Sequence, residues 1–577
     1  MVRLFSTHRI RPSVELDGLW DFSPLPPNGK FPKRYDCRLP VPGCWESHPA
    51  FRSYRGRGAY RRRFQLDNDT ALRLEFKGVS HTADIFLDGR KIGHHYNAYT
   101  PFQVVVPRVT GGTHELVVIA GNRFNEQSAL HIPNDYYSYG GISRPVVLEQ
   151  IGDAFIERLR FVPSVRSGRW SARVEVVVTN VSRRPARVRP CGALAGTTLA
   201  FGAKTVAPGA TTTFGRVFAF DRVTPWSAGN PALYLLDMRL YDGGSVPCDD
   251  LIERVGFRTV SVRGRRILVN GAPVFFKGFN RHEDHPAVGC SFPVQLMAAD
   301  LALMRDMNAN AVRTCHYPND ELFLDLCDEL GFYVWEENHA RGLKLEHMRN
   351  PHFRRQCSDC NREMVTSHFN HPSIFIWGLL NECASNTPGG RAMYKEQIRQ
   401  IRGLDKSRPV TFATCHPFSD LSLGLEDIFS LNQYARWYGD SDPEELYLKT
   451  LRWAVKAGAR GKPVIMSEFG AGGIPGLRDP ARMKWTEERQ AEILEETMRA
   501  YLSRPEICGL FIWQFCDVRV CDGDWSLRRP RTMNNKGVVD EFRRPKLAYE
   551  TVKRIYGGVR AERSPGRSRR VEVTGRS

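Results

Sequence analysis

Two stretches of this chain end in a carboxylate after an apolar run. Ile374-Phe375-Ile376-Trp377-Gly378-Leu379-Leu380 leads into Asn381-Glu382, and Val464-Ile465-Met466-Ser467 leads into Glu468-Phe469-Gly470. Apolar, β-branched runs broken by an acid are the pattern of buried parallel strands that deliver a carboxylate to the rim of a sheet. Two carboxylates brought to one pocket are the minimum equipment of a glycosidase. One protonates the departing oxygen and the other attacks the anomeric carbon.

The elements that must position them begin near Val255-Gly256-Phe257-Arg258, where short apolar strands start to alternate with amphipathic stretches. Strands are predicted near 274–279, 309–315, 331–336, 373–380, 409–414, 427–432, 463–467 and 507–513. Helical periodicity lies at 296–307, 319–330, 352–370, 390–402, 443–457 and 485–503. Alternation with about eight strands predicts a (β/α)8 TIM barrel, whose active site sits at the C-terminal strand ends. Polar or aromatic residues follow every predicted strand in turn: Asn280 to Asp284, His316-Tyr317, Glu336-Glu337-Asn338, Asn381-Glu382, His416, Asn432 with Tyr434 and Trp437-Tyr438, Glu468, and Trp513.

Residues 1–152 alternate apolar and polar positions, as in Leu72-Arg73-Leu74-Glu75-Phe76 and Ala83-Asp84-Ile85-Phe86-Leu87, the latter closed by an Asp88-Gly89 hairpin turn. This predicts a β-sandwich. Residues 153–260 are again all strand, with Val174-Glu175-Val176-Val177-Val178 as an example, and their length suits an immunoglobulin-like β-sandwich. The barrel is predicted over 261–558, followed by a basic, disordered tail at 559–577.

At 577 residues the chain is too long for one core. No stretch approaches a membrane span. The N-terminus MVRLFSTHRIRPS has charges but no apolar h-region, and the 14 cysteines follow no framework pattern, so a cytoplasmic protein with reduced thiols is expected. Cys357-Ser358-Asp359-Cys360 lacks a second pair at zinc spacing and reads as two ordinary cysteines. The net charge of +19 comes from dispersed arginine without a nucleic-acid motif, so it reads as a basic surface and tail, with no nucleic-acid partner.

Asn370-His371-Pro372-Ser373 before Asn381-Glu382 resembles the acid/base motif of family 2 glycoside hydrolases, and Ser467-Glu468-Phe469-Gly470 resembles their nucleophile motif. That family holds β-galactosidases, β-mannosidases and β-glucuronidases. Gly18-Leu19-Trp20-Asp21-Phe22 and Tyr99-Thr100-Pro101-Phe102 look like its N-terminal jelly roll, and Trp226-Ser227 with Asn230 to Tyr234 is similar to its middle domain. The resemblance implies a retaining enzyme with Glu382 as acid/base and Glu468 as nucleophile. Asn381 can then donate its amide to the sugar 2-hydroxyl, Tyr438 can hydrogen-bond the nucleophile, and Trp513 is a flat platform for the ring.

Asn534-Asn535-Lys536-Gly537 looks like the Asn-x-Lys motif with which β-glucuronidases grip the C6 carboxylate. Asn432 to Tyr438, including Tyr434, resembles the strand-six loop of that branch. Asp135-Tyr136-Tyr137-Ser138-Tyr139-Gly140-Gly141-Ile142 resembles the jelly-roll loop that sends an Asp, here Asp135, to the sugar hydroxyls. His316, after strand two, completes the substrate-binding set. Gly278-Phe279-Asn280-Arg281-His282-Glu283-Asp284-His285-Pro286 leans toward the β-galactosidase wording. A carboxylate clamp fits glucuronate and galacturonate alike.

The reading is therefore an exo-β-glucuronidase, with β-galacturonides as further substrates. Its rivals are a β-galactosidase and a non-catalytic carbohydrate-binding protein; the latter predicts a missing carboxylate, and neither is missing. No cofactor motif is visible and a metal-free site is expected, although Glu283, Glu336, Glu337 and His316 are residues that a divalent ion would use, as in some family 2 galactosidases. The expected partner is a small-molecule or oligosaccharide β-uronide; a homo-oligomer, dimer or tetramer, is compatible. Few residues separate strand three from its helix, so the aglycone side is expected to be open.

Overall fold

A computed structural model of the chain describes residues 2–26 and 31–559. The expected basic tail lies outside the described residues, apart from Val559. The N-terminal region is a sandwich of a six-stranded and a four-stranded antiparallel sheet, and its two inner faces share one core built around Trp20, Phe22, Leu74, Ile85 and Val118. The strand Thr82–Leu87 alternates buried and half-buried residues as the sequence pattern requires. Its hairpin turn puts Asp88 and Gly89 at φ 50° and 77°, the left-handed pair that a two-residue hairpin demands. A second sandwich pairs a three-stranded sheet with a larger antiparallel one around Trp170, Phe214 and Phe257.

The remainder is a parallel barrel. Its strands are β1 (Phe276–Arg281), β2 (Ala311–Thr314), β3 (Tyr333–Glu337), β4 (Ile374–Gly378), β5 in two pieces (Val410–Thr411 and Ala413–Thr414), β6 (Phe429–Asn432), β7 (Val464–Phe469) and β8 (Ile507–Ile512). β1 pairs with both β2 and β8, and the two pieces of β5 reach β4 on one side and β6 on the other, so the eight strands run around a ring. β4 and β7 are buried throughout, which is why they read as continuous apolar runs.

The outer helices are α1 (Val294–Asp306), α2 (Glu321–Leu330), α3 (Phe353–Ser367), α4 (Pro388–Leu404), α5 (Pro443–Ala454), α6 (Glu487–Leu502) and α7 (Leu547–Gly557). Capping explains several bounds. Asp320 accepts from the Leu322 N–H at the start of α2, and Gly331, at φ 73°, ends it. Asp442 caps α5, with Pro443 in its first turn. The helix α7 was not anticipated from sequence. Between β8 and α7 the chain makes a long excursion, 513–546, which becomes one wall of the pocket.

No helix among the described residues is long and apolar enough to cross a membrane. All 14 cysteines are free thiols.

Candidate active site

The two carboxylates that end the apolar runs meet over the mouth of the barrel. Glu468 lies at the end of β7 and is buried. Its Oε1 accepts from Arg313 Nη1 at 2.9 Å and its Oε2 from the Tyr434 hydroxyl at 2.8 Å. Arg313 stands in β2, all of whose residues are buried. Such a cation needs partners, and Glu337 supplies a two-pronged one, at 2.9 Å from both Nε and Nη2. Arg313 also donates to Asn381 Oδ1 at 2.7 Å. One guanidinium thus orients the nucleophile candidate and its neighbour together.

Glu382 follows β4 in a left-handed turn, with φ 47° at Leu380 and 52° at Glu382. Non-glycine residues hold that conformation only when their surroundings impose it. Here the Glu382 N–H donates to Ala413 O at 3.0 Å, the Leu380 N–H to Asn338 Oδ1 at 3.0 Å, and the Gly342 N–H to Asn381 O at 2.8 Å. Glu382 Oε1 accepts from Asn432 Nδ2 at 2.9 Å, and Oε2 is 3.7 Å from Arg341 Nη2. Burial, then the nearby Glu382 carboxylate, push the Glu468 carboxyl up to about 8, against the pull of Arg313, Arg341 and Tyr434.

Beside the pair, His316 Nδ1 pairs with Glu337 Oε1 at 2.7 Å, and its ring stacks on Trp513 at 5.0 Å. Asn381 Nδ2 and His316 Nε2 are buried without a hydrogen-bond partner among the described residues. They are the groups in this half still free to meet a hydroxyl.

The other half of the pocket is cationic. Lys536 is buried, donates to the Tyr438 hydroxyl at 2.9 Å, and lies over the rings of Tyr434, Trp437 and Tyr438. Burial lowers the affinity of its ammonium for the proton, and Arg529 adds to that, while Tyr438 opposes it. In return Lys536 and Arg529 overcome burial and hold the Tyr438 phenol below its usual value. Gly537 fixes the position of Lys536: a Cβ there would sit 2.3 Å from Asp517 N, so only glycine lets the chain pass.

Asp135 arrives from the first sandwich. Its carboxylate lies 3.1 Å from Arg341 Nη2 and accepts from Arg529 Nη2 at 3.2 Å and Asn534 Nδ2 at 3.3 Å. Burial raises its pKa, but Arg341, Arg529 and Lys536 outweigh that and hold the carboxyl at about 2. Arg341 touches Asp135 and approaches Glu382, so it joins the two halves.

Residues 260–561 match the TIM barrel domain of glycosyl hydrolases family 2, residues 14–151 the family's sugar binding domain, and residues 154–258 its third model. The chain belongs to glycosyl hydrolase family 2. It is a glycoside hydrolase. A β-galacturonidase from Eisenbergiella tayi bound to galacturonate superposes with a TM-score of 0.93 at 48% identity, over 97% of this chain and 100% of that one. A β-glucuronidase from Ruminococcus gnavus in complex with a C6-substituted uronic isofagomine superposes with a TM-score of 0.83 at 26% identity, over 96% and 99%. A β-glucuronidase from Paenibacillus borealis is 26% identical over 592 residues, 94% of this chain and 96% of that protein.

All eleven residues singled out from sequence lie in this one pocket. Glu382, Glu468, Asn381, Asn432, Tyr434, His316 and Trp513 form the strand-end half. Asp135, Asn534, Lys536 and Tyr438 form the cationic half.

One assignment is corrected: Tyr434, not Tyr438, donates to Glu468. Tyr434 comes two residues after β6 and still points over the barrel, whereas Tyr438 is a turn further out, 64% exposed, and reaches Lys536 instead. The carboxylates considered for an ion do not converge. Glu283 pairs with Arg144 at 2.8 Å, Glu336 with His368 at 3.0 Å, and Glu337 with Arg313 and His316.

Sequence reasoning missed Arg313, Arg341 and Arg529. For Arg313 a signal existed, since an arginine inside Ala311-Val312-Arg313-Thr314 must be buried with its charge. Arg341 and Arg529 sit in loops of a chain rich in arginine and carried no such mark.

Proposed function

We propose that this glycoside hydrolase is a retaining exo-β-uronidase that removes β-linked galacturonate, and less readily glucuronate, from an aglycone. The observation that carries the reading is the buried Lys536, with Arg529 and Asn534 around it, on the far side of the pocket from the Glu382–Glu468 pair. A neutral hexose gives that cation nothing to pair with, whereas the C6 carboxylate of a uronate does. The 48% identity to a galacturonate-bound β-galacturonidase, against 26% to the Ruminococcus gnavus and Paenibacillus borealis β-glucuronidases, favours the galacturonide over the glucuronide.

In this reading Glu468 attacks the anomeric carbon while Glu382 protonates the glycosidic oxygen. Glu382 then takes a proton from water, and that water releases the sugar from Glu468. Hydrogen bonding supports this division. Both Glu468 oxygens already accept, from Arg313 and Tyr434, as suits an ionised nucleophile. Asn381 Nδ2 faces the 2-hydroxyl, where its bond strengthens as positive charge grows on the ring. His316 Nε2 accepts from a hydroxyl, since its Nδ1–H is spent on Glu337.

The test is a set of four p-nitrophenyl β-glycosides: galacturonide, glucuronide, galactoside and glucoside. Galacturonide should give the highest kcat/KM and both neutral sugars the lowest, and proton NMR should show the β-anomer released first. Faster turnover of the galactoside than of either uronide would overturn the proposal.

A further inference from the structure

Beneath the sugar pocket lies a group of donors that the glycosidase chemistry does not use as a unit. One nitrogen each of His282 and His316 and the Cys315 sulfur all lie within 4.8 Å of one another, and all three residues are buried. The Nδ1 of each imidazole is taken, by the Tyr317 hydroxyl at 3.2 Å for His282 and by Glu337 at 2.7 Å for His316. Both Nε2 atoms are buried without a hydrogen-bond partner among the described residues.

An imidazole that gives its other N–H to a carboxylate, as His316 does to Glu337, is the usual arrangement behind a metal ligand, because the carboxylate fixes the tautomer and raises ligand basicity. A fourth donor is near: Glu468 Oε1, which also accepts from Arg313, is 3.8 Å from His316 Nε2. Two imidazoles, a thiol and a carboxylate make up a donor set for a borderline-soft divalent ion in tetrahedral geometry.

We infer that His282, Cys315 and His316 form a binding site for a zinc-class divalent cation, with Glu468 as fourth donor, so that metal and sugar exclude one another. The metal replaces the Cys315 S–H proton, which leaves to solvent, and no group is oxidised or reduced. Occupancy ties up the nucleophile and switches the enzyme off, and chelation restores it. Because one thiol proton is released, binding tightens as pH rises.

Full-length protein titrated with Co2+ under argon provides the spectroscopic readout, and Zn2+ inhibition of the p-nitrophenyl substrate that the enzyme turns over fastest provides the functional one. The expected results are a thiolate-to-cobalt charge-transfer band that saturates, its loss in Cys315→Ser, and competitive inhibition by Zn2+ reversed by EDTA. Cys315→Ser and His282→Gln should each raise the inhibitory Zn2+ concentration by about tenfold or more. Zinc affinity should be higher at pH 8 than at pH 6.5. A band and an inhibition constant both unchanged in Cys315→Ser would place the metal on other thiols and overturn the proposal. So would metal binding that leaves KM untouched.

Discussion

The two halves of the pocket are built differently. The half that holds Glu382, Glu468, Asn381 and Arg313 stands on barrel strands: β2 and β7 are buried along their whole length, and Arg313 cross-links the strand ends. The half that holds Asp135, Asn534, Lys536 and Tyr438 stands on excursions. Asp135 comes from a sandwich loop, Lys536 follows a two-residue strand, Met533–Asn534, and Tyr438 is largely exposed. In the proposed mechanism, rigid elements position the reacting groups, and loops that can vary without unmaking the barrel decide what they act on. The account therefore predicts that damage to one half changes rate for every substrate, while damage to the other changes which substrate is preferred.

The largest effects belong to the strand half. Glu468→Ala should abolish turnover of all β-glycosides, with azide restoring part of it and giving the inverted product. Glu382→Ala should lose ~10² to 10⁴ with poor leaving groups and much less with activated aryl ones. Near wild-type kcat in both would break the comparison at its root.

Next in size, Tyr434→Phe removes a bond to a charged acceptor, of about 1.5–3 kcal/mol. It should lower kcat some ten- to a hundredfold on uronide and neutral sugar alike. Tyr438→Phe should leave kcat near normal and raise KM for uronides only. Steady-state kinetics on both variants would expose a reversed assignment.

A smaller effect concerns pH. The Glu468 carboxyl, whose ionised form is the nucleophile in the proposed mechanism, is pushed up to about 8. Activity should rise with pH toward about 8 as that carboxyl ionises, and a pH–rate profile checks this. Glu468→Gln removes the buried charge. The wild-type fold, whose carboxyl holds its proton more tightly than the unfolded chain does, loses stability between its ordinary value of 4.5 and about 8. The variant should therefore melt higher than wild type, with the gap wider at pH 8.5 than at pH 5.5, and calorimetry measures it.

The smallest expected effect concerns the aglycone. Only 338–344 separate β3 from the short turn Leu345–Met348, so no long lid is encoded there. Bulky and small aryl uronides should differ little in kcat/KM; a sharp penalty on large conjugates would mean that the loops exclude them.

The same contrast governs what could be read from sequence. Strand-borne residues announce themselves, because an acid that ends an all-apolar run, as Glu382 and Glu468 do, is out of place unless it works. All eight strands were legible from their short apolar runs, to within a few residues. Loop-borne residues were legible only through resemblance to short motifs such as Asn534-Asn535-Lys536-Gly537. The tyrosine exchange shows the limit: Asn432 to Tyr438 offers two tyrosines four apart, and only the backbone's exit from β6 decides which turns inward. The helix α7 hid behind an excursion whose length gave no hint of its return, and Arg341 and Arg529 gain meaning only once folding brings Asp135 to them.

The most direct test of the division between chemistry and recognition is Lys536→Ala, measured as kcat/KM on the galacturonide and on the matching galactoside in the same preparation. The account predicts a loss of about ten- to more than a hundredfold on the uronide, the equivalent of one charge-assisted bond, and almost no change on the neutral sugar. An equal loss on both would make Lys536 part of the scaffold and contradict the separation of the two halves.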